Sequence, residues 1–226
     1  MNKFVLITSI FPPTKAINDF SKLKDYTTIV VGDKKTPSAY SQSNITFLSV
    51  ETQSDLEFSL AGALPYNHYC RKNIGYLFAI QKGADVIIDT DDDNIPYNDW
   101  SFPKFEGDYD TLKPEMGFIN IYSLFSKQNI WPRGLPLSFI KINPDASSLK
   151  KVHCKVGIWQ ALADGDPDVD AIYRLIFDTQ CIFEKRAPVV LGKGTITPFN
   201  SQNTAFRKEL FPLLYLPATV SFRFTD

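Results

Sequence analysis

Four of the five residues from Asp89 to Asp93 are aspartates, in the run Asp89-Thr90-Asp91-Asp92-Asp93. Crowded carboxylates repel one another, and removing them from water is costly unless a cation compensates. The run leaves the apolar stretch Asp85-Val86-Ile87-Ile88, the C-terminal end of a predicted strand, where open α/β sheets place their ligands. Its alternation lets Asp89 and Asp91 converge on one ion from a tight turn. Hard oxygen donors of this kind suit Mg²⁺ or Mn²⁺, with substrate phosphate oxygens completing the shell. An ion placed there would neutralise charge on a departing diphosphate. An EF-hand does not fit, because the glycine at the sixth loop position and the glutamate at the twelfth are missing. The plain alternative is a solvated acidic turn.

Other groups gather around this run in sequence. Arg71-Lys72-Asn73 stands on a predicted helix over residues 68–82, closed by Gly83 as a C-cap. Its cations read either as an exposed basic face or as phosphate contacts near the same sheet edge. Asp33 follows the run Thr27-Thr28-Ile29-Val30-Val31 and is either a turn residue or an acceptor for a base N–H. Cys70, Cys154 and Cys181 are odd in number and form no CxxC pair, so they read as three reduced thiols.

These groups need a scaffold to hold them. Phe4 to Thr8 is a short apolar, β-branched run, and Thr14 to Asp25 has helix-like spacing at Ile17, Phe20 and Leu23. With Thr27 to Val31 they make a βαβ unit, which predicts a parallel sheet. Ile45 to Val50 and Asp85 to Ile88 add two more strands. Beyond residue 95 the periodicity weakens, and the reading is long loops with short strands around Met116 to Phe125. A helix is predicted from Asp168 to Phe177, with strands at Cys181 to Phe183 and Val189 to Leu191.

The 226 residues fit one domain, and 24 basic against 25 acidic side chains exclude a general basic surface for nucleic acid. With 44% hydrophobic and 22% charged residues, disorder is excluded too. No run approaches a transmembrane span or a signal-peptide core, so the expected location is cytoplasmic.

Longer strings carry a resemblance. Leu64-Pro65-Tyr66-Asn67, the segment from Arg71 to Ala84, and Asp89-Thr90-Asp91-Asp92 are similar to the STELLO family of glycosyltransferases. So are Trp131-Pro132-Arg133-Gly134-Leu135-Pro136-Leu137, Asp166-Pro167-Asp168-Val169-Asp170 and Thr197-Pro198-Phe199-Asn200-Ser201-Gln202-Asn203-Thr204, in the right order over nearly the whole chain. The Asp89-Thr90-Asp91 triplet resembles the DxD motif of GT-A glycosyltransferases. A more remote likeness is to the plant reversibly glycosylated polypeptides and UDP-arabinopyranose mutases.

The resemblance implies an α/β, GT-A-like Rossmann-type nucleotide-binding domain with a mostly parallel central sheet. It would fill 1–226, with a nucleotide-binding half over about 1–95 and an acceptor-side half over about 96–226. It implies a metal-dependent glycosyltransferase using a nucleotide-sugar donor, UDP-linked, and an unidentified glycan, lipid or protein acceptor. Asp89, Asp91 and Asp93 would hold Mn²⁺ or Mg²⁺, with Asp92 able to assist. Thr8, Ser9, Asp33, Arg71, Asp89, Arg133 and Asp168 would line the donor site.

Some of these residues have structural alternatives. Trp131 could be core, Arg133 an ion-pair partner, and Asp168 the N-cap of the following helix. Asp170, and Asp226 at the end of the given chain, resemble catalytic or acceptor-binding carboxylates. His153 could ligate metal, though a strand residue without a role fits it better. The relatives continue past the position of Asp226, so the expectation includes a chain truncated at that point. Two rival functions are carried forward: a nucleotide-sugar mutase, and a non-catalytic nucleotide-sugar-binding protein.

Overall fold

The structure is a computed structural model and describes residues 1–40 and 44–221. Two compact units are present: Met1–Ser101 together with the chain from Ser201 onward, and Phe102–Asn200.

In the first unit the predicted strands form where apolar β-branched residues run together: β1 (Lys3–Thr8), β2 (Thr27–Val31), β3 (Ile45–Leu48) and β4 (Val86–Thr90). Helix α1 (Lys15–Phe20) starts at Thr14, whose hydroxyl accepts the Ile17 N–H, and it ends sooner than the periodicity to Asp25 suggests. Helices α2 (Val50–Asp55) and α3 (Ser59–Ala63) follow β3. The predicted helix over 68–82 is a 3₁₀ turn at Tyr69–Arg71 running into α4 (Lys72–Gln81). Gly83, at φ +77°, takes the left-handed turn that ends it.

The strand order is β3–β2–β1–β4, with β1 parallel to both β2 and β4 and β2 parallel to β3. The fold is therefore α/β with a mostly parallel central sheet. An antiparallel strand near the C-terminus, Asn203–Arg207, lies against β4 and pairs Thr204 with Asp89. That pairing, with Leu6 opposite Asp89 on the other side, carries the β4 ladder past Ile88 and through Asp89 and Thr90. The expected strand ended at Ile88, so Asp89 belongs to the sheet and not to the turn. Val5, Leu6, Ile7, Ile29, Val30 and Ile87 are fully buried at the centre of the unit.

The second unit is built from shorter pieces. Strand β5 (Glu106–Thr111) pairs antiparallel with β7 (Lys150–Lys155) and parallel with β9 (Val189–Val190), and β6 (Gly117–Phe118) pairs with β10 (Thr195–Ile196). Strand β8 (Ile158–Gln160) and helix α5 (Ala171–Ile176) complete it, so that Asn203–Arg207 is β11. Two core clusters form here, one around Tyr122, Ile130, Trp131 and Tyr173, the other around Leu112, Ile119 and Leu124.

Two expectations need correction. Cys181 to Phe183 is no strand: Cys181 makes a single bridge with Gly165 and is buried against Tyr173. The helix predicted from Asp168 begins at Ala171, because the Asp170 carboxylate accepts the Ile172 N–H and is the cap. All three cysteines are free.

His153 lies on β7, as a strand residue, with Nδ1 3.0 Å from Asp108 and Nε2 3.5 Å from Glu106. Hydrogen bonds to Asp108, then to Glu106, raise its pKa above the ordinary imidazole value. The contribution to stability is thus fully present below about pH 6.5 and fades as pH rises through the raised folded value. A ¹H–¹³C NMR titration is expected to give a midpoint above 6.5 that falls in Asp108→Asn. An unchanged midpoint in that variant would exclude the pairing.

Candidate functional site

The sheet order sets the site. After β1 the chain builds outward to β2 and β3, then returns to place β4 on the other side of β1. The order reverses between β1 and β4, and in open α/β sheets such a switch point opens a crevice at the C-terminal strand ends. Thr8 ends β1 and Ser9 follows it. Asp33 comes just after β2, and Asp91, Asp92 and Asp93 leave β4. The parallel strands bring all of these to one edge.

Side chains lock the edge together. Across the switch point, the Ser9 hydroxyl donates to the Asp92 carboxylate, and Thr14 donates to the Asp92 carbonyl. The Asp92 carboxyl is raised, chiefly by burial, with the Ser9 bond opposing. Thr36 ties Asp33 to the same corner: its hydroxyl accepts the Asp33 N–H at 2.7 Å and donates to the Ser9 carbonyl at 2.6 Å. Asp33 in turn accepts the His68 N–H at 3.4 Å, ahead of α4.

Deeper in, a polar network lies beneath the edge. Lys72, the first residue of α4, is wholly buried and ion-paired with Asp89, itself wholly buried in β4. Lys72 Nζ also donates to the Thr90 carbonyl at 3.0 Å and the Tyr69 hydroxyl at 2.8 Å, and Asp91 Oδ1 lies 3.7 Å away. Tyr76 donates to the other Asp89 oxygen, and Tyr69 donates to Asp91 at 2.5 Å. Burial pulls the Lys72 ammonium down, but Asp89, Asp91 and Tyr76 outweigh it and hold it above its ordinary value. Burial pushes the Asp89 carboxyl up to about 6 against the pull of Lys72.

The expected residues fall in different places. Arg71 is buried, its Nε and Nη2 on Gln53 Oε1 at 2.9 and 2.6 Å and its Nη1 on the Leu64 carbonyl at 3.1 Å. Its guanidinium thus braces α2 and the end of α3 from inside. Trp131, Arg133, Asp168 and Asp170 all lie in the second unit. There Trp131 is core, Arg133 pairs with Asp168 at 2.8 Å, and Asp170 caps α5. Asp226 lies outside the described residues.

Sequence reading missed the roles of Tyr69, Lys72 and Tyr76. Their signal was the spacing: Lys72 with Tyr69 three residues before and Tyr76 four after shares one helix face.

A divalent ion has two kinds of carboxylate to meet here. Both oxygens of Asp89 face donors inside the protein, so Asp89 does not fit a metal. Asp91 keeps 28% of its side chain exposed, and Asp93 is exposed, so these offer hard oxygens outward. Among the described residues no three His, Cys, Asp or Glu side chains converge tightly enough to hold a metal by themselves.

The fold and its edge define a class: an α/β protein with a mostly parallel sheet and acidic residues gathered at its switch-point edge. Comparison with known proteins makes the relationship particular. The chain is 30% identical over 99% of its length to "Probable glycosyltransferase STELLO2" of Arabidopsis thaliana, and equally to "Probable glycosyltransferase STELLO1" of the same plant. It spans about a third (32%) of the length of each of those relatives. No family model matches. No helix among the described residues is long and apolar enough to cross a membrane.

Proposed function

We propose that this chain is a GT-A-like glycosyltransferase domain whose donor is a nucleoside diphosphate sugar, UDP-linked. One observation carries the reading: Ser9, Asp33 and the Asp91–Asp93 turn meet at the switch-point edge, in a chain similar along its length to proteins named as glycosyltransferases. Asp33, at the end of β2, accepts a base N–H. Thr8 and Ser9 line the floor beneath the nucleotide. Asp91 and Asp93 would hold Mn²⁺ or Mg²⁺, which when bound neutralises charge on the departing diphosphate. If transfer inverts, the acceptor hydroxyl loses its proton to a general base, a role the resemblance gives to Asp226.

The test is a thermal-shift panel of UDP, GDP, ADP and CDP, each with Mn²⁺ or with EDTA. A nucleotide at 100 times its dissociation constant adds about 2.7 kcal/mol to the native state. UDP with Mn²⁺ is expected to raise Tm, and Asp91→Ala to abolish the metal-dependent part while keeping the fold. No shift with any nucleotide, or the same shift in Asp91→Ala, would overturn the assignment. Product analysis then separates the rival chemistry, since a mutase converts donor with no acceptor present.

A further inference from the structure

We infer that Lys72 is the resident cation of the Asp89-Thr90-Asp91 motif, a tethered ammonium in the place beside Asp89 where a divalent ion would otherwise sit. An added ion then binds through Asp91 and not through Asp89. The inference rests on the proposed reading of this edge and specifies which carboxylate serves it.

The coordination of Nζ carries the argument. An ammonium has three N–H groups, and here it meets three oxygens: the Asp89 carboxylate, the Thr90 carbonyl and the Tyr69 hydroxyl. Charged, carbonyl and hydroxyl oxygens around one centre are the donors a small hard ion takes. The ammonium cannot swing aside, because Lys72 opens α4 and its side chain is wholly buried. Tyr76 takes the other Asp89 oxygen, and the side chain is only 1% exposed, so that carboxylate presents no oxygen to a second cation on the outside. Asp91 differs, taking one hydrogen bond from Tyr69 while part of its side chain reaches solvent.

Charge fixes the sign of the effect. A divalent ion at Asp91 approaches an ammonium that lies 3.7 Å from the same carboxylate, and the two cations repel. Removing the ammonium ends that repulsion and releases Asp89 as a second ligand.

The experiment is a Mn²⁺ titration followed by the EPR signal of the free ion, with no nucleotide present. Lys72→Met is expected to bind Mn²⁺ about tenfold or more tighter than wild type. Adding Asp89→Asn to that variant is expected to remove the gain. In the wild-type background Asp91→Asn is expected to weaken Mn²⁺ binding about tenfold, and Asp89→Asn to weaken it as well, since it leaves the ammonium 3.7 Å from Asp91 without its counter-charge. A merely structural lysine would not raise metal affinity when removed. Lys72→Met binding no tighter than wild type would overturn the inference. So would a Mn²⁺ affinity in Asp89→Asn equal to or higher than wild type, which also decides the matter if Lys72→Met does not fold. Since no nucleotide is used, failure of the donor assignment leaves these outcomes readable.

Discussion

Asp89→Ala is expected to destabilise the first unit by about 3–5 kcal/mol, because it leaves the Lys72 ammonium buried without its partner. For a chain of this size that corresponds to a fall in Tm of about 10 °C. Replacing both members with apolar residues, Lys72→Met with Asp89→Leu, is expected to recover most of the loss, since desolvation then falls on neither charge. Urea denaturation of the three proteins checks both statements. A single-variant cost below about 1 kcal/mol would show that the pair is not buried as described. Asp91→Asn is the contrast: its side chain is partly exposed and the same measurement is expected to move little.

The second large effect is steric. Helix α4 lies so close to the sheet that a Cβ on Gly75 would sit 2.6 Å from Leu6 Cδ1 and 2.6 Å from Val31 Cγ2. Both neighbours are core residues, with no room to yield. Gly75→Ala is therefore expected to cost about 1–3 kcal/mol by overpacking, despite a gain in helix propensity of about 1 kcal/mol. Gly75→Val adds two methyl groups at the same point and is expected to cost more than the alanine. Thermal melts of the pair, measured beside wild type, give the order. An alanine variant as stable as wild type would mean that α4 can move off the sheet freely.

The close approach has a further meaning for the site, because α4 carries Lys72 and Tyr76 as well as Gly75. Its small residue seats the helix, and the helix seats the cation against β4. Sequence reading reached the elements but not this contact. Strands β1 to β4 were legible because apolar β-branched runs have few other places to go, and α4 because Gly83 marks its end. For Lys72 the spacing with Tyr69 and Tyr76 shows a shared face but not its burial, because a lysine counts as polar in any periodicity and its burial depends on an aspartate one strand away. Asp89 was misplaced into the turn because the strand that pairs with it, β11, lies far along the chain. In the second unit, two-residue strands carry too little pattern to register. The roles of Arg133 and Asp170 follow from an ion pair and a helix cap that only folding brings together.

The late arrival of β11 also sets an order of events during synthesis. The strand that bears Asp89 has β1 on one side from the start, but its other side waits for Asn203–Arg207. All of the second unit is translated in the interval. At ~5–20 residues per second, that interval lasts on the order of ten seconds. Throughout it, the growing chain presents Val86, Ile87 and Ile88 along an open sheet edge, a template for pairing with other strands. Until Asn203–Arg207 is made, protection of that edge has to come from outside the finished fold.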